Sequence, residues 1–196
     1  MKLYSDRYKT GQKALTREEY NKLISCITDI QDELMIRFAV DTGLRREDLC
    51  NVECDQIDLK NNKLRFHEAK KDHTDKKTNA FTEKWRTIDL SNEVVALIQK
   101  FYNTLDKSEL RKRQYLFDYV GRTAYRHFNR WCVVAGIDER PIHALRATCI
   151  KFAHEAEWSD MEIADLTGDK ISTIQEHYMT PSVDEMRQAK QKKAFI

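Results

Sequence analysis

The sequence is poor in residues that interrupt regular structure and contains no long apolar run. Only five of its 196 residues are Gly and two are Pro, which excludes a collagen-like chain and argues against a long disordered segment. The longest unbroken apolar runs, 94–98 and 131–135, have five residues each, whereas a membrane-spanning helix needs about 20. Charge near the start is not followed by an apolar segment, so no secretory signal is visible. The composition predicts one folded domain with no membrane partner.

Cysteine is present as an odd number of residues without the spacing of a disulfide framework. The chain has five Cys, which indicates a reducing compartment rather than a disulfide scaffold. The expected localisation is therefore cytoplasmic.

Charge is almost balanced overall, at +2, but it is unevenly distributed. Residues 60–90 contain nine Lys and Arg against five Asp and Glu, and residues 110–130 contain six against one. Residues 151–178 are acidic, with two against seven. Two basic blocks in one small domain predict an electropositive face, although they do not identify its ligand.

Periodicity predicts a mainly helical α+β domain with one small sheet near its first third. Thr16 and Glu19 form a capping box that opens a first helix. Alternation in 63–67 and 85–90 predicts two strands joined by a long Lys-rich hairpin tip. The other expected helices cover 29–42, a short segment through Leu49 and Val52, 92–103, 122–135, 143–157, 160–167, 171–178, and a last one capped at Ser182. The predicted organisation is a lead-in at 1–13, one domain at 14–180 and a tail at 181–196.

Four residues have the chemistry of an oxyanion site. Arg45 follows a glycine turn where a helix begins, so its guanidinium fork lies beside free backbone N–H groups. His143 and Arg146 are three residues apart on one helix face. Tyr178 follows Gly168 within the last predicted helix of the domain. Taken singly, each is better explained by a surface salt bridge, a His–Arg pair or a packing tyrosine.

Taken together and in this order, these motifs resemble the catalytic pattern of tyrosine recombinases, which include phage-type integrases and Xer proteins. The pattern is Thr-Gly-Leu-Arg, a Lys in a following β-hairpin, His-x-x-Arg, and a Gly-x9-Tyr segment. The resemblance covers residues 14–180, and the spacings from Arg45 to Lys70 and from Arg146 to Tyr178 are typical of the family. The residues at 45–49 and 68–71 resemble those of integrases of archaeal viruses and plasmids more than those of Xer proteins. The resemblance implies the tyrosine-recombinase catalytic fold, with a three-stranded antiparallel sheet.

The resemblance also implies an activity, which is DNA strand cleavage and rejoining through a 3′-phosphotyrosyl intermediate. Arg45 and Arg146 would clamp the scissile phosphate, and Lys70 would protonate the leaving 5′ hydroxyl. His143 would act as a base or as a phosphate ligand, and Tyr178 would attack. A phenol with a pKa near 10 is a poor nucleophile at pH 7 unless the phosphate is activated. We expect no metal and no cofactor, because the guanidinium groups supply the positive charge.

The sixth expected catalytic position is Asp169, where the sequence departs from the family pattern, which usually has His or Trp. A carboxylate there repels a phosphate unless it is protonated or turned away, and the expected substitute donor is either Lys170 beside it or His177 beside Tyr178. The hairpin lysine is either Lys70 or the adjacent Lys71. The expected DNA contacts are Lys71, Arg122, Arg126 and Lys170.

The implied partner is double-stranded DNA at a recombination site, bound as a homotetramer by a protein that is a monomer or weak dimer when free. The tail is expected to pack on a neighbouring protomer. In the family an N-terminal DNA-clamping domain usually precedes this core, so the sequence is expected to be either an excised catalytic domain or a minimal recombinase. Two alternatives stay open: a type IB topoisomerase, which shares this core, and a DNA-binding relative that has lost catalysis.

Overall fold

The computed structural model describes residues 14–68, 73–74, 81–178, 187 and 190–191. Lys70, Lys71 and most of the expected tail helix lie outside the described residues. The elements are α1 (Arg17–Cys26), α2 (Ile30–Thr42), α3 (Arg46–Cys50), a 3₁₀ turn (Cys54–Gln56), β1 (Ile57–Asp58), β2 (Lys63–His67), β3 (His73–Thr74), β4 (Phe81–Thr82), β5 (Trp85–Asp89), α4 (Asn92–Tyr102), α5 (Lys107–Lys112), α6 (Gly121–Val134), α7 (His143–Glu155), α8 (Asp160–Thr167) and α9 (Ile171–His177).

Helix boundaries follow the capping residues of the sequence. The capping box of Thr16 and Glu19 is present at the start of α1, and Gly43 ends α2 in the left-handed conformation. The short helix α5 was not expected. It is capped by Asp106 and has no buried residue, so it lacks the apolar periodicity by which helices are recognised in a sequence.

The sheet is small and antiparallel, as expected, with strand order β1-β2-β5. Leu64 of β2 pairs with Ile88 of β5, and Phe66 pairs with Arg86. Within the segment expected as a hairpin tip, β3 and β4 form a separate two-stranded pair. Glu68 directly follows β2 at the end of this sheet and contributes to the site described below.

The hydrophobic core is built around α2, which packs against α4 and α7. Phe128, Trp131 and Cys132 of α6 are buried in the same core. A smaller cluster of Ile150, Ile163 and Ile174 joins α7, α8 and α9, and Tyr178 packs against it. The last two helices are thus held by a core of their own.

A buried carboxylate fixes α6 to α2. Asp32 is fully buried and accepts hydrogen bonds from the hydroxyl of Tyr119 and from Trp131 Nε1 at 2.6 Å. It also pairs with His127 Nδ1 at 2.8 Å and with Arg130 at 3.0 Å. Four partners compensate the cost of burying this charge.

No helix in the described part of the chain is both long and apolar enough to cross a bilayer.

Candidate active site

Arg45 is placed by the turn at the end of α2. Gly43 has φ +61°, and a Cβ there would lie 3.1 Å from both Cys149 Sγ and Thr167 Cγ2. A side chain at this position would therefore be both strained and crowded. The turn leads directly into α3, and Arg45 is the N-cap residue of that helix.

Arg146 is anchored by the ends of two helices. Its side chain is 2% exposed, and its guanidinium donates to the carbonyl oxygens of Gly43 and, at 2.9 Å, of Thr167. These carbonyls lie at the C-terminal ends of α2 and α8, where the helix dipole favours a cation. The guanidinium is therefore held in one orientation before it meets any ligand.

The carboxylate of Asp169 joins the two arginines. Its Oδ1 is 2.7 Å from Arg45 Nη2, and its Oδ2 is 2.5 Å from Arg146 Nη2. Burial opposes ionisation of Asp169, but the charges of Arg146 and Arg45 outweigh burial and hold its pKa below the usual value. The residue that the sequence presented as a repulsive departure is therefore the partner of both cations.

The hydroxyl of Tyr178 lies at the same site, 2.9 Å from His143 Nε2. Burial raises the pKa of Tyr178, and the Arg146 charge opposes this rise only in part. The phenol therefore keeps its proton at neutral pH and must lose it when the oxygen attacks. His143 is within hydrogen-bond reach of that proton, which is the first requirement for a general base.

Two acidic residues beside Arg45 were not singled out in the sequence. Glu68 Oε1 lies 3.3 Å from Arg45 Nη1, and Asp48 Oδ2 lies 4.0 Å from the same nitrogen. Burial raises the pKa of Asp48, although the Arg45 charge acts against it. The position of Asp48, three residues after Arg45 on one helix face, was a usable signal for this pair. Glu68 approaches through the fold and gave no such signal.

A groove of about 600 Å³ opens between α3 and α6 next to these residues. Its lining is Arg45, Arg46, Glu47, Gly121, Arg122, Tyr125, Pro141, Ile142 and His143. Arg122 therefore lies beside two of the predicted catalytic residues. Arg126 is exposed one helical turn further along α6, and Lys170 is exposed at the start of α9.

A model of the phage integrase family matches residues 13–185 of the sequence. The chain belongs to the phage integrase family. Tyrosine recombinase XerA of Saccharolobus solfataricus is 29% identical over 175 residues, which cover 89% of this chain and 54% of the relative. This integrase-family chain thus spans about half the length of that relative.

Solved structures share the fold at low sequence identity. A crystal structure of XerA recombinase superposes with a TM-score of 0.72 at 19% identity, covering 91% of this chain and 62% of the other. The catalytic domain of bacteriophage HP1 integrase gives 0.58 at 21% identity, covering 92% and 94%. A Tn1549 transposon integrase in complex with transposon right-end DNA gives 0.63 at 18% identity, covering 91% and 65%.

In this phage integrase family member, the fold brings together five of the six residues predicted as catalytic. Segments far apart in the sequence contribute them: Arg45, His143, Arg146, Asp169 and Tyr178. The predicted hairpin lysine, Lys70 or Lys71, lies outside the described residues. The observed arrangement is two guanidinium groups that share a single anion, with one phenol and one imidazole beside them.

Proposed function

We propose that the protein is a site-specific DNA recombinase that cleaves and rejoins DNA through Tyr178, with a 3′-phosphotyrosyl intermediate. The observation that carries the proposal is the shared anion position. Arg45 and Arg146 each offer an Nη2 nitrogen to a different oxygen of one carboxylate, beside the Tyr178 hydroxyl. Two non-bridging oxygens of a phosphodiester can accept from the same two groups.

The reaction needs little from the protein beyond one nucleophile, positioned charge and proton transfer. The Tyr178 oxygen attacks phosphorus and its proton passes to His143. The bond from phosphorus to the 5′ oxygen breaks, and that oxygen leaves as a hydroxyl with a proton from Lys70. Attack by a 5′ hydroxyl on the phosphotyrosine reverses these steps and rejoins the strand. Arg45 and Arg146 neutralise the charge that develops on the non-bridging oxygens.

Asp169 adds a condition to this mechanism. Because its carboxylate holds both arginines, a phosphate can bind them only when Asp169 releases them or accepts a proton. The observed pairing therefore supports a site in which the Asp169 carboxylate holds both arginines in place until a DNA phosphate replaces it.

Double-stranded DNA is the proposed partner. The groove beside the site carries Arg45, Arg46 and Arg122, and the Tn1549 integrase relative is described in complex with DNA. We propose assembly as a homotetramer on DNA, a monomer or weak dimer in the free protein, and the domain boundaries 14–180.

The test is a nicked suicide substrate made from the attachment site of the element that encodes the protein, scored for a covalent protein–DNA band. Wild type should form the band, and Tyr178→Phe should bind the same DNA without forming it. Tyr125→Phe is the matched control, since Tyr125 is an exposed tyrosine in the same groove and its loss should leave the band. A band that persists in Tyr178→Phe would assign the nucleophile elsewhere.

The second candidate is a DNA-binding relative without catalysis, and the occupation of both arginines by Asp169 favours it. It predicts sequence-specific DNA binding with no covalent band in wild type. A type IB topoisomerase activity predicts the band together with relaxation of supercoiled DNA that lacks the attachment site.

A further inference from the structure

Glu68 is a buried carboxylate shared by two arginines. It directly follows β2 and is 1% exposed, and its backbone N–H donates to the carbonyl of Lys84 at 2.8 Å. Its Oε1 accepts from Arg45 Nη1 and from Arg86 Nη1, each at 3.3 Å. The hydrogen bond of its main chain therefore holds the Glu68 carboxylate beside Arg45, on the side of the sheet.

Arg86 connects this carboxylate to the end of α8. It lies on β5 opposite Phe66, and its guanidinium packs 5.6 Å from the centre of the Phe66 ring. Its Nη2 donates to the main-chain carbonyls of Asp165 and, at 2.9 Å, of Leu166. Carbonyls at a helix C-terminus lack partners within the helix and attract a cation.

The α8 end held by Arg86 leads directly into the site. Gly168 ends the helix in the left-handed conformation, and the next residue is Asp169. Glu68 and Arg86 thus form a bridge from Arg45 to the segment that carries Asp169 and, through α9, Tyr178. One end of the bridge orients a guanidinium, and the other end fixes a main-chain turn.

The orientation at Arg45 decides which of its nitrogens face a ligand. With Nη1 directed to Glu68, Nη2 is directed to Asp169. Loss of the Glu68 charge would let the guanidinium rotate, and the pair of Nη2 donors on Arg45 and Arg146 would no longer face one anion. A small misplacement of such a group can cost about 100-fold in rate.

We infer that Glu68 and Arg86 are positioning residues for DNA cleavage, acting through Arg45 and through the α8–α9 junction rather than on the phosphate. The inference rests on the proposed recombinase function. It assigns the sheet a role in cleavage, because the bridge connects Arg45, just before α3, to the segment that leads to the nucleophile after α9.

The experiment measures single-turnover cleavage of the suicide substrate at saturating protein, with the DNA dissociation constant and the melting temperature of each variant. Glu68→Gln and Arg86→Gln should lower the cleavage rate constant about 10- to 100-fold with the dissociation constant within about threefold of wild type. Arg86→Lys retains the charge without the fork and should recover part of the rate that Arg86→Gln loses.

The matched control is Arg17→Gln, which breaks an exposed ion pair with Glu155 at the far end of α7, about 18 Å along the helix from His143. Its cleavage rate should equal that of wild type. The double variant Glu68→Gln, Arg86→Gln should be about as slow as the slower single variant, because the two residues form one bridge.

Four outcomes would overturn the inference. A merely structural role would lower the melting temperature and the fraction of DNA cleaved, with the rate constant of the active fraction unchanged. Fully additive losses in the double variant would show two independent effects. The absence of a covalent band in wild type would remove the proposed function and this inference together, whereas a normal rate in Glu68→Gln beside an active wild type would remove the inference alone.

Discussion

Replacing Asp169 with Asn should destabilise the protein and at the same time tighten its binding to DNA. The carboxylate is the common partner of Arg45 and Arg146, so its neutral analogue leaves two guanidinium groups facing each other. Breaking a buried ion pair costs about 3–5 kcal/mol. Arg45 is partly exposed and Asn keeps one acceptor oxygen, so we expect about 2 kcal/mol, equivalent to a fall in Tm of roughly 4–8 °C.

The gain in binding comes from the same charge. A carboxylate about 5 Å from a phosphate repels it by about 3 kcal/mol at an effective dielectric constant of about 20. The Asn variant should therefore bind DNA at least about tenfold more tightly at low salt, with about 100-fold as the upper limit. Cleavage should stay within about tenfold of wild type, and Asp169→His should keep or raise it, because imidazole donates to the phosphate.

The pH dependence of stability has a defined sign. The pKa of Asp169 is lowered in the folded protein from 3.8, because the two arginines outweigh the opposing effect of burial. Its contribution to stability is therefore complete above about pH 4 and is lost as pH falls through the folded pKa. The difference in unfolding free energy between wild type and Asp169→Asn should be constant near neutral pH and shrink in acid.

The assay combines thermal unfolding from neutral pH down to about pH 3, DNA binding by fluorescence anisotropy, and single-turnover cleavage between pH 5.5 and 8.5. Asp165→Asn is the control, because it removes an exposed charge from the same segment. An Asn variant as stable as wild type, with unchanged affinity, would refute the competition between carboxylate and phosphate. Loss of cleavage in both Asp169→Asn and Asp169→His would show that the carboxylate itself is required.

Three further predictions concern the metal, the tail and the turn before Arg45. Cleavage should be undiminished in excess EDTA, while DNA affinity should fall steeply with salt; a strict magnesium requirement for cleavage would contradict the role of the arginines. Deletion of residues 181–196 should weaken recombination more than binding to a single site, and unchanged recombination would leave the tail without a role in assembly. Gly43→Ala should lower stability by about 1–3 kcal/mol and slow cleavage through Arg146, whereas Gly136→Ala, also at positive φ but facing only the flexible end of Lys22, should cost stability alone. Equal cleavage rates in these two glycine variants would refute the anchoring of Arg146 by the Gly43 carbonyl.

The sequence predicted the elements that carry strong local signals. The bounds of α6 and α8 follow from apolar spacing and from glycines at or just after their ends, and the strands β2 and β5 follow from simple alternation. The helix α5 was missed because it is short, polar and exposed. The five residues of the recombinase pattern are predicted from their order along the chain, which is information that a single sequence contains.

The electrostatic partners within the site could not be predicted in the same way. The sequence offered two states for Asp169, protonated or turned away from the phosphate, and the structure shows a third, an ionised group paired with both arginines. Such a pair joins residues from distant segments, so it depends on how α8 packs against α7. For Glu68 and Arg86, the sequence likewise showed only the alternation that predicts the two strands. Their contacts follow from the position of the sheet against α8.

The separate cluster beneath α8 and α9 gives these helices a local stability of their own. They rest on Ile150, Ile163 and Ile174, while α2 and α4 share the large core. Segments with few buried apolar contacts open at a lower free energy than the whole domain. Amide hydrogens of α8 and α9 should therefore exchange with solvent earlier than those of α2. Such an opening withdraws Tyr178 and Asp169 together, so a partly opened molecule presents two bare arginines and no nucleophile, and cannot cut the strand that it holds.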